Sequence, residues 1–267
     1  MIEKFKEIWY SKHVNKSEKG MRLNMNFDKR MLYIIMVIMV IWGLAGYINN
    51  TNALLELLFT IPGVLIAITF HEFAHAKVAD KLGDDTPRRE GRISLNPLAH
   101  IDPIGFVMLL FAGFGWGKPV NVNPRNYNRD ISMEKADAIV SVAGPIMNFL
   151  LALVFGIIYM AIFKICGIAV LSNTVGSIIM QMMLYVITIN IGLGVFNLIP
   201  LPPLDGSKVI KPILPAKAKA FFENNEYYFY ILFVILWITG IAGTIISPII
   251  NIVFKGLVNL LSLIFRV

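Results

Sequence analysis

An apolar stretch of the chain leads through Ala67, Ile68, Thr69 and Phe70 into His71-Glu72-Phe73-Ala74-His75. Residues four apart on a helix lie one turn apart on the same face. Two imidazoles at that spacing can therefore reach one tetrahedral zinc ion, while the glutamate beside them holds a water. The chemistry this suits is metal-assisted hydrolysis with Glu72 as general base. The alternative is a pair of core histidines with a glutamate that snorkels. Location weighs against it, because each ionisable group inside a membrane crossing costs roughly 2.5 to 3.5 kcal/mol on insertion scales. Three polar groups gathered there imply a ligand or a water pocket.

The elements that must carry these residues are membrane helices. Of 267 residues, 57% are hydrophobic and 15% charged, far from the balance of a soluble domain. The runs Met31 to Tyr47, Leu54 to Phe70, Ala136 to Phe163, Ile178 to Ile199, Tyr227 to Ile241 and Ile245 to Phe265 approach the roughly 20 residues that a bilayer crossing needs. They are continuous rather than alternating, which favours helices over a barrel. The expected fold is an all-α polytopic membrane protein with about six transmembrane helices. Between the second and third, Ile104 to Trp116 is apolar but too short to span, and is expected to dip in and return as a re-entrant or β-hairpin segment.

Basic residues orient this arrangement. Eight Lys and Arg precede Met31, nine lie between Lys77 and Lys135 and four between Lys208 and Lys219, whereas Asn49 to Ala53, Cys166 to Thr174 and Ala242 to Thr244 contain none. A net charge of +7 thus reads as positive-inside topology rather than as a nucleic-acid surface. Both termini are expected in the cytoplasm of a cell-membrane protein. The second and fourth crossings then run the same way and deliver their ends to the same side of the bilayer. The fourth ends in Asn197-Leu198-Ile199-Pro200-Leu201-Pro202-Pro203-Leu204-Asp205-Gly206, where the prolines must stop the helix. By itself this is a helix stop. With His71 and His75 arriving on the same side, Asp205 becomes the candidate third ligand, with a fourth position open to water.

The two separated motifs, His71 to His75 and Asn197 to Gly206, resemble those of the site-2 proteases, the intramembrane zinc metalloproteases of peptidase family M50. Gly91-Arg92 through Gly105, Gly115 to Val120, and Ala143-Gly144-Pro145 with Asn148 are similar to further family segments. The resemblance implies a Zn2+ cofactor held by His71, His75 and Asp205, with Glu72 as general base. It also implies that Asn197 lies near the metal and binds the substrate carbonyl or its oxyanion. The implied activity is endopeptidase cleavage of transmembrane segments near the cytoplasmic face, in regulated intramembrane proteolysis. Transmembrane proteins would be the substrates and the lipid bilayer the medium. The PDZ or CBS domains of some relatives have no counterpart here, so the form is the compact one.

Other segments carry weaker expectations. Residues 1–30 form a cytoplasmic segment, with Ile2, Phe5, Ile8 and Trp9 at amphipathic helical spacing, and residues 31–267 form the metalloprotease domain. The charges of both signs in the first segment exclude a cleavable signal peptide. Trp116 to Asn123 alternates in part, so Val120 and Val122 are candidate substrate contacts through strand addition. Asn148 either lines the site or hydrogen-bonds a neighbouring helix. His100 and Asp102 read as a turn held by side-chain hydrogen bonds. The competing function is a membrane metal-ion or proton transporter, in which intramembrane His and carboxylate groups form an ion path.

Overall fold

The computed structural model describes residues 37, 38, 41, 45, 50–112 and 116–266. Most of the expected first crossing, the N-terminal amphipathic segment and Gly113 to Gly115 lie outside these residues. Contacts divide the chain into two units, 1–38 and 39–267, and every element from Thr51 onward belongs to the second.

The second unit consists of helices α1 (Thr51–Lys81), α2 (Pro103–Ala112), α3 (Met133–Cys166), α4 (Thr174–Asn197), α5 (Asp205–Ile210), α6 (Ala216–Asn224), α7 (Glu226–Ile238) and α8 (Ile241–Phe265), with short helical turns between them. Among the described residues, four helices, α1, α3, α4 and α8, are long and apolar enough to cross a membrane. Their outward faces carry large apolar side chains in the open, among them Leu58, Leu150, Ile157 and Ile252. Such surface is tolerable in lipid and not in water. The chain is a helical membrane protein.

Helices α1, α3 and α4 pack against one another in all three pairings, and α8 closes over α3 and α4. Ala152, Ile187, Ile191, Val195 and Ile246 form the core between α3, α4 and α8. A smaller cluster of Ala79, Tyr127, Ala136 and Val140 joins the end of α1 to the start of α3. The metal-binding motif falls between these two clusters.

Two expectations need correction. The segment between the second and third expected crossings contains no strand among the described residues. Pro103–Ala112 is a ten-residue helix, and one antiparallel bridge, Ile101 to Gly117, closes its base. Asp102 starts that helix by accepting the Gly105 N–H at 2.8 Å, and Gly105 admits the returning chain, since a Cβ there would lie 2.1 Å from the Trp116 carbonyl oxygen. The expected fifth crossing is shorter than its apolar run. Gly240, with φ of 74°, breaks the chain after Ile238, leaving thirteen helical residues, which rise about 20 Å where the hydrocarbon core is about 30 Å thick.

After α1 the chain is tied down by a buried carboxylate. Asp84 is 0% exposed and accepts from the Thr86 hydroxyl at 2.6 Å, the Thr86 N–H at 3.1 Å, the Asn126 amide at 2.9 Å and the Asn123 N–H at 2.6 Å. Burial opposes its ionisation, but these donors outweigh it and hold the carboxyl below its usual range. Its stabilising contribution is therefore full above the unfolded-state value of about 4 and is lost as pH falls through the lower folded value. Asp84→Asn turns one acceptor into a donor facing donors and should cost about 2 kcal/mol. Thermal unfolding in detergent, followed by circular dichroism, should show a lowered midpoint at neutral pH, with the gap from the native chain narrowing below about pH 4.

Candidate metal centre

His71 and His75 lie in the interior of α1, both buried. Each ring is fixed from behind by α3, which runs antiparallel along α1. The His75 Nδ1–H donates to the Val140 carbonyl at 2.7 Å, and the His71 Nδ1–H donates to the Asn148 Oδ1 at 2.7 Å. With both hydrogens on Nδ1, both Nε2 atoms present bare lone pairs, and these face each other across 3.0 Å.

Asp205 meets them from the other side. Leu198 caps α4, and the proline-rich turn folds back so tightly that a Cβ on Gly206 would lie 2.4 Å from the carbonyl oxygens of Leu198 and Ile199. The Asp205 Oδ2 lies 3.2 Å from each Nε2 and has no hydrogen-bond donor. Three acceptor atoms thus converge with no hydrogen between them, an arrangement that needs a cation. A tetrahedral ion with bonds of 2.0 to 2.1 Å spaces its donors about 3.3 Å apart, close to the separations found. The space is kept open by Gly144, where a Cβ would sit 2.5 Å from the His75 Nε2 and 2.7 Å from the His71 Nε2. The residues present fit a zinc ion. Among the described residues, His71, His75 and Asp205 are the metal-ligating group that forms.

Glu72 is half-buried beside this cluster, and its Oε2 accepts the Val120 N–H at 2.9 Å. The segment that supplies this bond is held over α1 from both ends. Lys118 N–H donates to the His100 carbonyl at 2.7 Å. The buried Arg92 guanidinium donates to the carbonyls of Ala99, Lys118 and Pro119. Asp84 takes the Asn123 N–H. Val122 does not stand clear of the fold: its side chain packs on the cluster of Ala79, Tyr127 and Val140.

The remaining candidates are placed as follows. Asn148 is 0% exposed, and its amide is engaged on both sides, so it sits behind His71 rather than among substrate contacts. Asn197 ends α4 and donates to the Leu193 carbonyl at 3.0 Å. The His100 ring pairs with the Ser94 carbonyl at 2.7 Å, and with Asp102 capping α2 the two belong to a turn. Three parts of the site were not foreseen: the Val140 carbonyl, the space kept open by Gly144 and a second buried amide, Asn190. A backbone carbonyl has no sequence signature. Asn190 carried a signal, an amide set within the apolar run of α4.

A sequence profile described as peptidase family M50 matches residues 160–239, which include Asp205. YwhC of Bacillus subtilis, which carries the name of a zinc metalloprotease, is 36% identical over 208 residues, covering 78% of this chain and 93% of that protein. Rip2 of Mycolicibacterium smegmatis, similarly named, is 27% identical over 73% of each chain. MJ0611 of Methanocaldococcus jannaschii, also named as a zinc metalloprotease, is 30% identical over 60% of this chain and 72% of its own length. No solved structure matches the chain. With an acceptor cluster fit for zinc, a glutamate beside it and relatives of this kind, the transporter reading gives way: the chain belongs to peptidase family M50 and is a zinc metalloprotease.

Proposed function

We propose that the protein is an intramembrane endopeptidase that cleaves transmembrane segments of other membrane proteins near the cytoplasmic face, as a step in regulated intramembrane proteolysis. The observation that carries this reading is the convergence of the Asp205 carboxylate on His71 and His75, which lie inside a helix long enough to span a bilayer. A site built there meets substrates that are themselves in the membrane. The positive-inside pattern supports a cell-membrane protein whose basic segments lie on the cytoplasmic side.

His71, His75 and Asp205 hold the ion. A zinc ion held there would supply Lewis-acid polarisation of the scissile carbonyl and a bound water acidic enough to lose its proton near neutral pH. Glu72 takes a proton from the attacking water on Oε1, since Oε2 is committed to the Val120 N–H, and returns it to the leaving amine. Asn197 uses one amide hydrogen on Leu193, and the other stabilises the oxyanion. A helical substrate hides its peptide bonds, so it must open locally. Among the described residues the backbone N–H groups of Asn121 and Val122 have no partner; neighbouring N–H groups of an extended segment point to opposite sides, so one of the two is offered to an opened, extended substrate.

Three outcomes test this reading. Glu72→Gln should bind zinc normally yet lose cleavage by about 10²- to 10⁴-fold when co-expressed with single-span substrates whose new termini are mapped. Cuts outside the membrane region in every substrate would refute the intramembrane reading. Gly144→Ala should fold but lose bound zinc, measured by elemental analysis of the purified protein, because its methyl group fills the space between the two Nε2 atoms; a full zinc complement would overturn the ligand set. Asn121→Pro and Val122→Pro remove these donors in turn; one of them should impair cleavage without changing the unfolding midpoint, and normal turnover in both would exclude strand addition.

A further inference from the structure

The polar groups behind His71 extend further than its own contact. Asn148 and Asn190 are both 0% exposed, in the middle of α3 and α4. The Asn190 Nδ2 donates to the Val186 carbonyl at 2.8 Å, and its Oδ1 accepts from the Asn148 Nδ2 at 2.9 Å. The Asn148 Nδ2 also donates to the Ala67 carbonyl at 3.1 Å, and its Oδ1 accepts the His71 Nδ1–H at 2.7 Å.

The direction of this chain is not free. A backbone carbonyl is only an acceptor, so Val186 requires the NH2 end of Asn190 and leaves its oxygen toward Asn148. Ala67 and Asn190 then both present oxygen to Asn148, which must turn its NH2 group to them and its oxygen to His71. An oxygen there requires hydrogen on Nδ1, and that bares Nε2. If Asn148 turned over, its NH2 group would face His71, draw the tautomer with hydrogen on Nε2 and cap the nitrogen that must bind metal. His75 needs no such device, because the Val140 carbonyl meets its Nδ1 directly.

We infer that Asn190 is a positioning residue for the metal centre: through Asn148 it fixes the ring orientation and tautomer of His71 that leave Nε2 bare for zinc. This rests on the proposed assignment of His71 as a ligand. Partners of metal-bound histidines typically govern affinity by 10- to 100-fold. Asn190 stands one step further back, and its loss leaves the Ala67 carbonyl to hold Asn148 alone, so an effect of about tenfold is expected.

The test is zinc affinity of the purified full chain in detergent, by competition with a chelator, for Asn190→Leu, Asn190→Ala, Asn190→Asp and His71→Ala. Leucine and aspartate share asparagine's number and branching of side-chain heavy atoms and separate the two explanations. A packing role would favour leucine inside the membrane, whereas aspartate keeps an oxygen toward Asn148 in either protonation state. The expected result is about tenfold weaker zinc binding for Asn190→Leu and Asn190→Ala, with Asn190→Asp closer to the native chain. Native affinity in the leucine and alanine variants, or aspartate no better than leucine, overturns the relay. If His71→Ala keeps native affinity, the ligand assignment itself fails and the relay with it. A reading independent of any variant's folding comes from nitrogen-15 spectroscopy of the zinc-loaded native protein. It should show metal on Nε2 and hydrogen on Nδ1 of His71, and metal on Nδ1 overturns the inference.

Discussion

Three lone pairs with nothing but each other to face set the terms for the rest of this fold. The two Nε2 atoms and the Asp205 Oδ2 stand 3.0 to 3.2 Å apart, and buried acceptors that meet without a hydrogen repel one another. Such a cluster persists only if a cation binds there and if each ligand is held against its tendency to turn away. The holding is done by parts that never touch the metal: the Val140 carbonyl, the Asn148 amide and a turn closed on Gly206. Val140, Gly144 and Asn148 follow at intervals of four along α3, so one face of one helix supplies a stop for His75, an open space and a stop for His71.

The membrane makes this arrangement more demanding than it would be in water. A displaced imidazole or amide within the bundle has no solvent to turn to, so each polar group needs its partner from the protein. That is the physical sense of two asparagines buried in the middle of otherwise apolar helices. Each would be costly alone. Linked between the Ala67 and Val186 carbonyls they are satisfied, and they carry the orientation of His71 as well. A fully satisfied buried network of this kind specifies one arrangement where an apolar contact would tolerate several.

The legible parts of the site were those written in a local pattern. His71, Glu72 and His75 declare themselves by spacing within one helix. Asp205 was reachable because charge distribution placed the ends of two distant helices on the same side of the bilayer. Four spanning helices could be read from apolar length alone. What escaped depended on contacts between segments far apart in sequence. Asn148 and Asn190 are 42 residues apart, and nothing local in either stretch announces the other. Val140 acts through its backbone, for which its side chain gives no clue. The apolar run around Tyr227 to Ile241 looked like a crossing because hydropathy does not register the left-handed turn at Gly240. The segment from Ile104 to Trp116 showed that it was too short to span, but its period did not separate helix from hairpin.

The position of Glu72 links the chemistry to the way a substrate would be held. Its Oε2 is bonded to the Val120 N–H, one residue before the N–H groups of Asn121 and Val122. The same segment is pinned at Lys118 by His100 and Arg92 and at Asn123 by Asp84. The base and the edge are therefore parts of one rigid piece. On the proposed reading, a substrate strand that pairs with this edge is brought into register with the base by the Val120 bond, since a slip of one residue would turn its carbonyls to the opposite side. The choice of which peptide bond is cut would then lie in the spacing between a loop hydrogen bond and the metal, and less in side-chain pockets. On that reading the enzyme would meet largely apolar, featureless helices, with little else to read.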